Sequence, residues 1–154
     1  MEGSGIEILL VEDNPADLEL TLHVLRRNNL ANRIEVARDG EEALDFLFCA
    51  GKHSGRNPNQ MPKLILLDLK LPRVDGIEVL RQVKANPKTK SIPITVLTSS
   101  KEGNDLSRCY ELGVNSYIQK PVDFDKFREV VKQFSLYWLV VNTPPPPPLH
   151  ATAN

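Results

Sequence analysis

Acidic side chains in this sequence stand directly after short apolar runs, where a chain commonly turns. Ile8-Leu9-Leu10-Val11 stops at Glu12-Asp13, Leu64-Ile65-Leu66-Leu67 stops at Asp68, and Ile94-Thr95-Val96-Leu97 stops at Thr98-Ser99-Ser100. Lys120 follows a weaker run, Ser116-Tyr117-Ile118. Carboxylates held close together repel, and resist ionising unless a cation sits among them. Ligands that are all oxygen favour a hard ion, and Mg²⁺ takes one or two carboxylates together with phosphate oxygens. A carboxylate is also a nucleophile at phosphorus, giving an acyl phosphate. The chemistry these residues could do is therefore phosphoryl transfer to a carboxylate beside a hard cation. Lys120 would ion-pair with the phosphoryl oxygens and Thr98 would hydrogen-bond them. Each feature alone has a plainer reading. Glu12-Asp13 could cap a helix starting at Pro15, and Lys120 could be a solvated surface residue. Their coincidence at one predicted edge carries the argument.

That edge requires elements to build it. Apolar runs of this length without polar alternation suit strands buried on both faces, as in parallel sheets. Ile34-Glu35-Val36-Ala37 and Ser116-Tyr117-Ile118 are the weaker strand candidates. Helical stripes lie between the runs. Asn14-Pro15 is a cap followed by proline at the first helical position, with Leu18, Leu22 and Leu25 behind it. Asp39-Gly40 precedes Ala43, Leu44, Leu47 and Phe48; Ile77, Leu80, Val83 and Lys84 run to Asn86-Pro87; Leu106, Cys109, Tyr110 and Leu112 end at Gly113. Phe127, Val130, Val131, Phe134 and Trp138 make the last stripe. Strand and helix alternate throughout, which predicts an α/β sheet with helices on both faces. Ligands of such a sheet collect at the carboxyl ends of the strands. Residues 51–62 read as a surface loop. Residues 1–142 form the expected domain. Residues 143–154, with prolines from Pro144 to Pro148, are expected to be an extended or disordered tail.

Composition narrows the function classes. A chain of 154 residues fits one domain, and a formal net charge of −1 leaves no basic field for nucleic acid or an anionic membrane. Cys49 and Cys109 lie outside any CxxC pattern and read as packing residues. The start, Met1-Glu2-Gly3-Ser4-Gly5, is too polar for a signal peptide, and no apolar run is long enough to span a bilayer. The expected location is the cytoplasm. His23, His53 and His150 place no pair on one helical turn, so their spacing does not support a histidine metal site.

Leu10-Val11-Glu12-Asp13-Asn14, Leu66-Leu67-Asp68-Leu69-Lys70-Leu71-Pro72 with Asp75-Gly76, Val96-Leu97-Thr98-Ser99 and Tyr117-Ile118-Gln119-Lys120-Pro121 together resemble the response-regulator receiver domain of two-component signalling. The resemblance runs from about Ile6 to Phe134. The long 51–62 loop and the Tyr137-Trp138-Leu139 ending also resemble the single-domain regulators paired with bacterial and cyanobacterial phytochromes.

The resemblance implies a flavodoxin-like three-layer sandwich around a five-stranded parallel sheet of order 2-1-3-4-5. It implies phosphorylation at Asp68. Mg²⁺, or Mn²⁺ in its place, would be held by Glu12, Asp13, Asp68 and the backbone carbonyl of Lys70. Thr98, Ser99 and Lys120 would contact the phosphoryl group, Thr98 and Tyr117 would form the switch, with Tyr117 turning inward on activation, and the Lys120–Pro121 bond would be cis. The implied partners are a sensor histidine kinase such as a bacteriophytochrome, a histidine phosphotransfer protein, and a second copy of the chain. That copy would dock on the fourth helix, fifth strand and fifth helix, through Tyr110, Phe134, Tyr137, Trp138 and Leu139. Leu136 to Val141 are apolar all round, more than one buried helix face can use. A chain end folded back on its own core is the competing reading.

Three other readings differ in class. A haloacid-dehalogenase-like phosphatase also uses an Asp nucleophile, but places a second Asp two residues later, where this chain has Lys70. A degenerate receiver acting as a scaffold without phosphorylation would have no need of the full set Glu12, Asp13, Asp68, Thr98 and Lys120. The proline run could be read by a polyproline-binding groove. The expectation is a switch that transfers phosphate only to and from itself, with no output domain after it, and not a metabolic enzyme.

Overall fold

The structure is a computed structural model that describes residues 6–31 and 33–146. The elements are β1 (Ile8–Val11), α1 (Pro15–Arg27), β2 (Ile34–Ala37), α2 (Gly40–Leu47), a 3₁₀ turn (Gly51–His53), β3 (Leu64–Leu67), α3 (Gly76–Ala85), β4 (Ile94–Thr98), α4 (Gly103–Leu112), β5 (Ser116–Gln119), α5 (Phe124–Leu136) and a closing π turn (Tyr137–Val141). All strand pairs are parallel and the order is β2-β1-β3-β4-β5.

The apolar runs become the central strands. β1, β3 and β4 are buried along their whole length, because helices cover both faces. One side of the core joins Leu9, Val11, Ile65, Leu67 and Val96 to Phe46, Leu47, Leu80 and Val83 of α2 and α3. The other joins Ile8, Leu10, Leu64 and Leu66 to Leu18 and Leu25 of α1 and Phe127, Val131 and Phe134 of α5. Each such side chain, taken from water to full burial, contributes about 1.5–3 kcal/mol.

Side chains at the strand exits start the helices. Asn14 Oδ1 accepts the Asp17 N–H at 2.9 Å, Asp39 accepts that of Glu42 at 2.7 Å, and Asp75 accepts that of Glu78 at 3.0 Å. Asp123 does the same for α5. α4 differs. Glu102 makes no side-chain cap, and Cys109 is its one buried residue. Leu106 and Tyr110, counted by period alone on an inward stripe, are 42 % and 55 % exposed.

The polar 51–62 stretch is a surface loop with an internal clamp. The Arg56 guanidinium lies 3.7 Å from the Phe46 ring centre and donates to the carbonyls of Phe46 and Gln60. The last helical stripe does not run on as one α-helix. After Leu136 the backbone widens to a π turn, closed by the Asn142 N–H donating to Tyr137 O at 2.6 Å. Residues 143–146 are irregular and exposed, and the rest of the proline-rich segment lies outside the described residues.

Candidate functional site: an acidic cluster around a lysine

Register alone places the acids together. Val11 pairs with Leu67, so the residues that follow them, Glu12 and Asp68, leave the sheet side by side. Backbone hydrogen bonds extend beyond the strand ends: Glu12 N–H to Ala37 O at 3.0 Å, Asp68 N–H to Val11 O at 3.1 Å, and Lys120 N–H to Thr98 O at 2.7 Å. Gly76 lets α3 begin against this rim. A Cβ there would stand 2.3 Å from the Asp68 carbonyl oxygen and 2.6 Å from Leu69 Cα. The Gly76 N–H also donates to Leu69 O at 2.9 Å.

Glu12 and Asp68 are 3 % and 7 % exposed, and Asp13 is exposed beside them. One carboxylate oxygen from each of the three lies within 4.8 Å of the others. Lys120 Nζ donates to Asp17 Oδ2 at 2.7 Å, Glu12 Oε1 at 2.9 Å and Asp68 Oδ2 at 3.2 Å. Burial, and then the charge of Asp68, push Glu12 up to about 7, against the pull of Lys120. Burial opposes the Lys120 charge, yet the Asp17 hydrogen bond and the Glu12 and Asp68 charges hold its pKa above the ordinary lysine value.

Asp17 is the member that the sequence reading missed. It lies in the first turn of α1, three residues after the Asn14 cap, where an acid reads as ordinary helix-start chemistry, so no local signal set it apart. With it, one ammonium faces Glu12, Asp17 and Asp68, with Asp13 alongside. The cluster is short of positive charge and its donors are oxygens, which fits a hard divalent ion.

The other predicted residues take distinct places. Lys70 is exposed; its N–H points to Asp68 Oδ1 at 3.4 Å, and its Nζ lies 3.9 Å from Glu102. Thr98, the last residue of β4, is fully buried, and its Oγ1 accepts the Ser100 N–H at 3.1 Å. Ser99 is exposed, whereas Ser100 is buried and donates to Asp105 at 2.6 Å. Tyr117 packs against the α2–α3–α4 side of the core, and its hydroxyl is shut off from solvent with the Ser100 side chain beside it, making no hydrogen bond of ordinary length.

Two expectations are corrected. The Lys120–Pro121 bond is trans, as is every peptide bond among the described residues. Trans is the lower-energy form of an X–Pro bond by about 0.5–1 kcal/mol, and Lys120 reaches the carboxylates from it. Phe134 is not a surface residue: it is 7 % exposed and packed in the α1–α5 core. Trp138 and Leu139 also pack partly against that core, and Trp138 Nε1 donates to Ser116 Oγ at 3.2 Å. Tyr110 and Tyr137, 55 % and 48 % exposed, remain at the surface.

Comparison with known proteins follows the same geometry. The family model described as the response regulator receiver domain matches residues 8–132. A probable methanogenesis regulatory protein, FilR2 of Methanothrix harundinacea, is 44 % identical over 140 residues, covering 91 % of this chain and 88 % of the relative. Response regulator Rcp1 of Synechocystis is 40 % identical over 138 residues, covering 90 % and 92 %. The solved Mn²⁺-bound form of Rcp1 superposes with a TM-score of 0.85 at 39 % identity, covering 92 % of this chain and 99 % of the other. The phosphorylated cyanobacterial phytochrome response regulator RcpA gives a TM-score of 0.85 at 37 % identity, covering 93 % and 100 %.

Proposed function

The chain belongs to the response-regulator receiver family, and from that premise we propose that it is a phosphorylation switch whose acceptor is Asp68. The carrying observation is the buried Asp68 beside Glu12, with the Lys120 ammonium within 3.2 Å of both. An Asp68 carboxylate oxygen attacks the phosphorus of a phosphohistidine on a sensor kinase. The P–O bond of an acyl phosphate forms, the P–N bond breaks, and the imidazole leaves with the electron pair and takes up a proton. A divalent ion, Mg²⁺ or Mn²⁺, held by Glu12, Asp13, Asp68 and the Lys70 carbonyl, would neutralise charge on the transferring group. Lys120 holds the phosphoryl oxygens from the other side. Water attack on the same acyl phosphate resets the switch.

Phosphorylation adds nearly two negative charges at Asp68. Thr98 rotates from the Ser100 N–H to the new oxygens, and Tyr117 responds to the space that Thr98 leaves. A buried hydroxyl without a hydrogen bond of ordinary length costs about 1–3 kcal/mol, so the inward Tyr117 competes closely with a solvated position, as a two-state element must. The surface that changes is α4–β5–α5. A second copy of the chain docks there through Leu106, Tyr110 and Tyr137, which are exposed. The likeness to RcpA, a phytochrome response regulator, supports a phytochrome-type kinase as the phosphoryl donor. A histidine phosphotransfer protein is the onward acceptor.

Intact-protein mass spectrometry after incubation with acetyl phosphate, with and without Mg²⁺, tests the chemistry. A Mg²⁺-dependent gain of one phosphoryl group is expected, absent in Asp68→Asn. No gain in a folded sample would leave the scaffold reading.

A further inference from the structure

The sequence spacing of the histidines argues against a histidine metal site, but spacing counts only neighbours along the chain. The fold brings His53 to two carboxylates on other elements. Glu35 comes from the edge strand β2, Glu42 from α2, and His53 from the 3₁₀ turn after α2. One ligand atom from each lies within 4.8 Å of the other two.

The histidine supplies the independent observation. Its side chain is 13 % exposed, packed edge-on to Phe46 with ring centres 5.2 Å apart. Its Nε2 is wholly shut off from solvent and makes no hydrogen bond. The nearest carboxylate oxygen, Glu35 Oε2, is 3.9 Å away, too far for a hydrogen bond. A buried ring nitrogen without a partner is costly, and a tetrahedral ion bound at about 2.0–2.2 Å to each atom would hold nitrogen and oxygen roughly 3.3–3.6 Å apart, a little closer than they stand here. Glu35 is on a rotatable stem and can close the remaining distance, while Glu42 is fixed by the Arg38 N–H, which donates to its Oε1 at 3.0 Å.

We propose that Glu35, Glu42 and His53 form a second metal site, separate from the Asp68 cluster, that takes a borderline transition-metal ion of the Zn²⁺ class. The donor set selects the ion. Imidazole suits Zn²⁺, Cu²⁺ and Ni²⁺, whereas Mg²⁺ prefers oxygen and stays with the Asp68 cluster. The ion links the edge strand, α2 and the loop after it. A competitor is already in place. Lys52 Nζ holds Glu42 Oε2 at 2.7 Å, and this lysine is 67 % exposed, free to swing away when the ion enters.

Isothermal titration of ZnCl₂ into the full chain, with saturating Mg²⁺ to fill the acidic cluster, tests the site. One Zn²⁺ per chain is expected, lost in His53→Gln and weakened about 10–100-fold in Glu35→Gln. Lys52→Gln is expected to tighten binding, because the competing ammonium is gone. Asp68→Asn and His23→Gln are expected to change nothing. Thermal melts with and without Zn²⁺ show whether each variant is folded. If His53→Gln does not fold, the opposite shifts of Glu35→Gln and Lys52→Gln decide. No Zn²⁺ uptake by the wild type, uptake unchanged in folded His53→Gln, unshifted affinity in both Glu35→Gln and Lys52→Gln, or uptake that follows His23 or Asp68 would each overturn the site.

Discussion

Glu12 shows how one residue ties the site to the stability of the chain. Burial, and then the Asp68 charge, disfavour the ionised form and raise its pKa in the folded state from the ordinary 4.5 to about 7. The folded state therefore binds more protons than the unfolded state between those values. This contribution is complete below about pH 4.5 and is lost as pH rises through about 7. In chelator-treated protein, stability is expected to fall over that window by on the order of 2–3 kcal/mol from this group. Glu12→Gln is expected to flatten the slope. Urea melts at a series of pH values give the comparison, and an equal slope in the variant would assign it elsewhere. Tyr117 offers a second test at this scale. Tyr117→Phe removes a shielded hydroxyl that makes no hydrogen bond of ordinary length, with Ser100 its neighbour, so the variant is expected to be as stable as wild type or more so, by up to about 1 kcal/mol. A loss of stability in urea would mean that the hydroxyl has a partner in solution.

At the scale of elements, the helices differ in how firmly the sequence holds them. α1, α2, α3 and α5 each have a side-chain cap, while α4 has no such cap and one buried residue. A thinly anchored helix beside Thr98 and Tyr117 is the element able to shift at small cost. α3 is the opposite case, since Gly76 sets it directly against the Asp68 backbone. Gly76→Ala forces a Cβ into the Asp68 carbonyl at 2.3 Å. That overpacking is expected to cost about 1–3 kcal/mol. It should also slow phosphorylation by acetyl phosphate, since the Asp68 backbone must move. Thermal melts and time-resolved mass spectrometry check both, and a variant unchanged in each would show that α3 can shift without disturbing the rim.

At the scale of the whole molecule, the apolar C-terminal segment divides. Trp138 and Leu139 turn partly to the chain's own core, while Tyr137, Val140 and Val141 remain outside. Trp138→Ala would thus remove both packing and the bond to Ser116, and a change of mass in that variant would not isolate an interface. Tyr110→Glu combined with Tyr137→Glu alters the exposed residues alone. The pair is expected to shift a dimeric wild type to monomer in light scattering, with melting temperature little changed. An unchanged mass would place the self-association surface away from α4–β5–α5.

Much of this protein was legible in its residues. The β1, β3 and β4 runs are continuous because strands covered on both faces need apolar side chains at every position. The ends of those runs announced Glu12, Asp13, Asp68 and Thr98. Asn14-Pro15, Asp39-Gly40 and Gly113 marked helix boundaries because caps and left-handed turns demand particular chemistry, as the φ of +100° at Gly113 illustrates. What the sequence left open joins distant segments through packing that no local period encodes. The bond of Lys120 to Asp17 spans 103 residues. The inward turn of Phe134 and Trp138 depends on where α1 and β5 stand, and the meeting of Glu35, Glu42 and His53 on how an edge strand, a helix and a loop converge. Sequence determined which groups were available and which ends of strands would carry them. Tertiary structure alone decided which of them face one another, because contact and desolvation act through space and not along the chain.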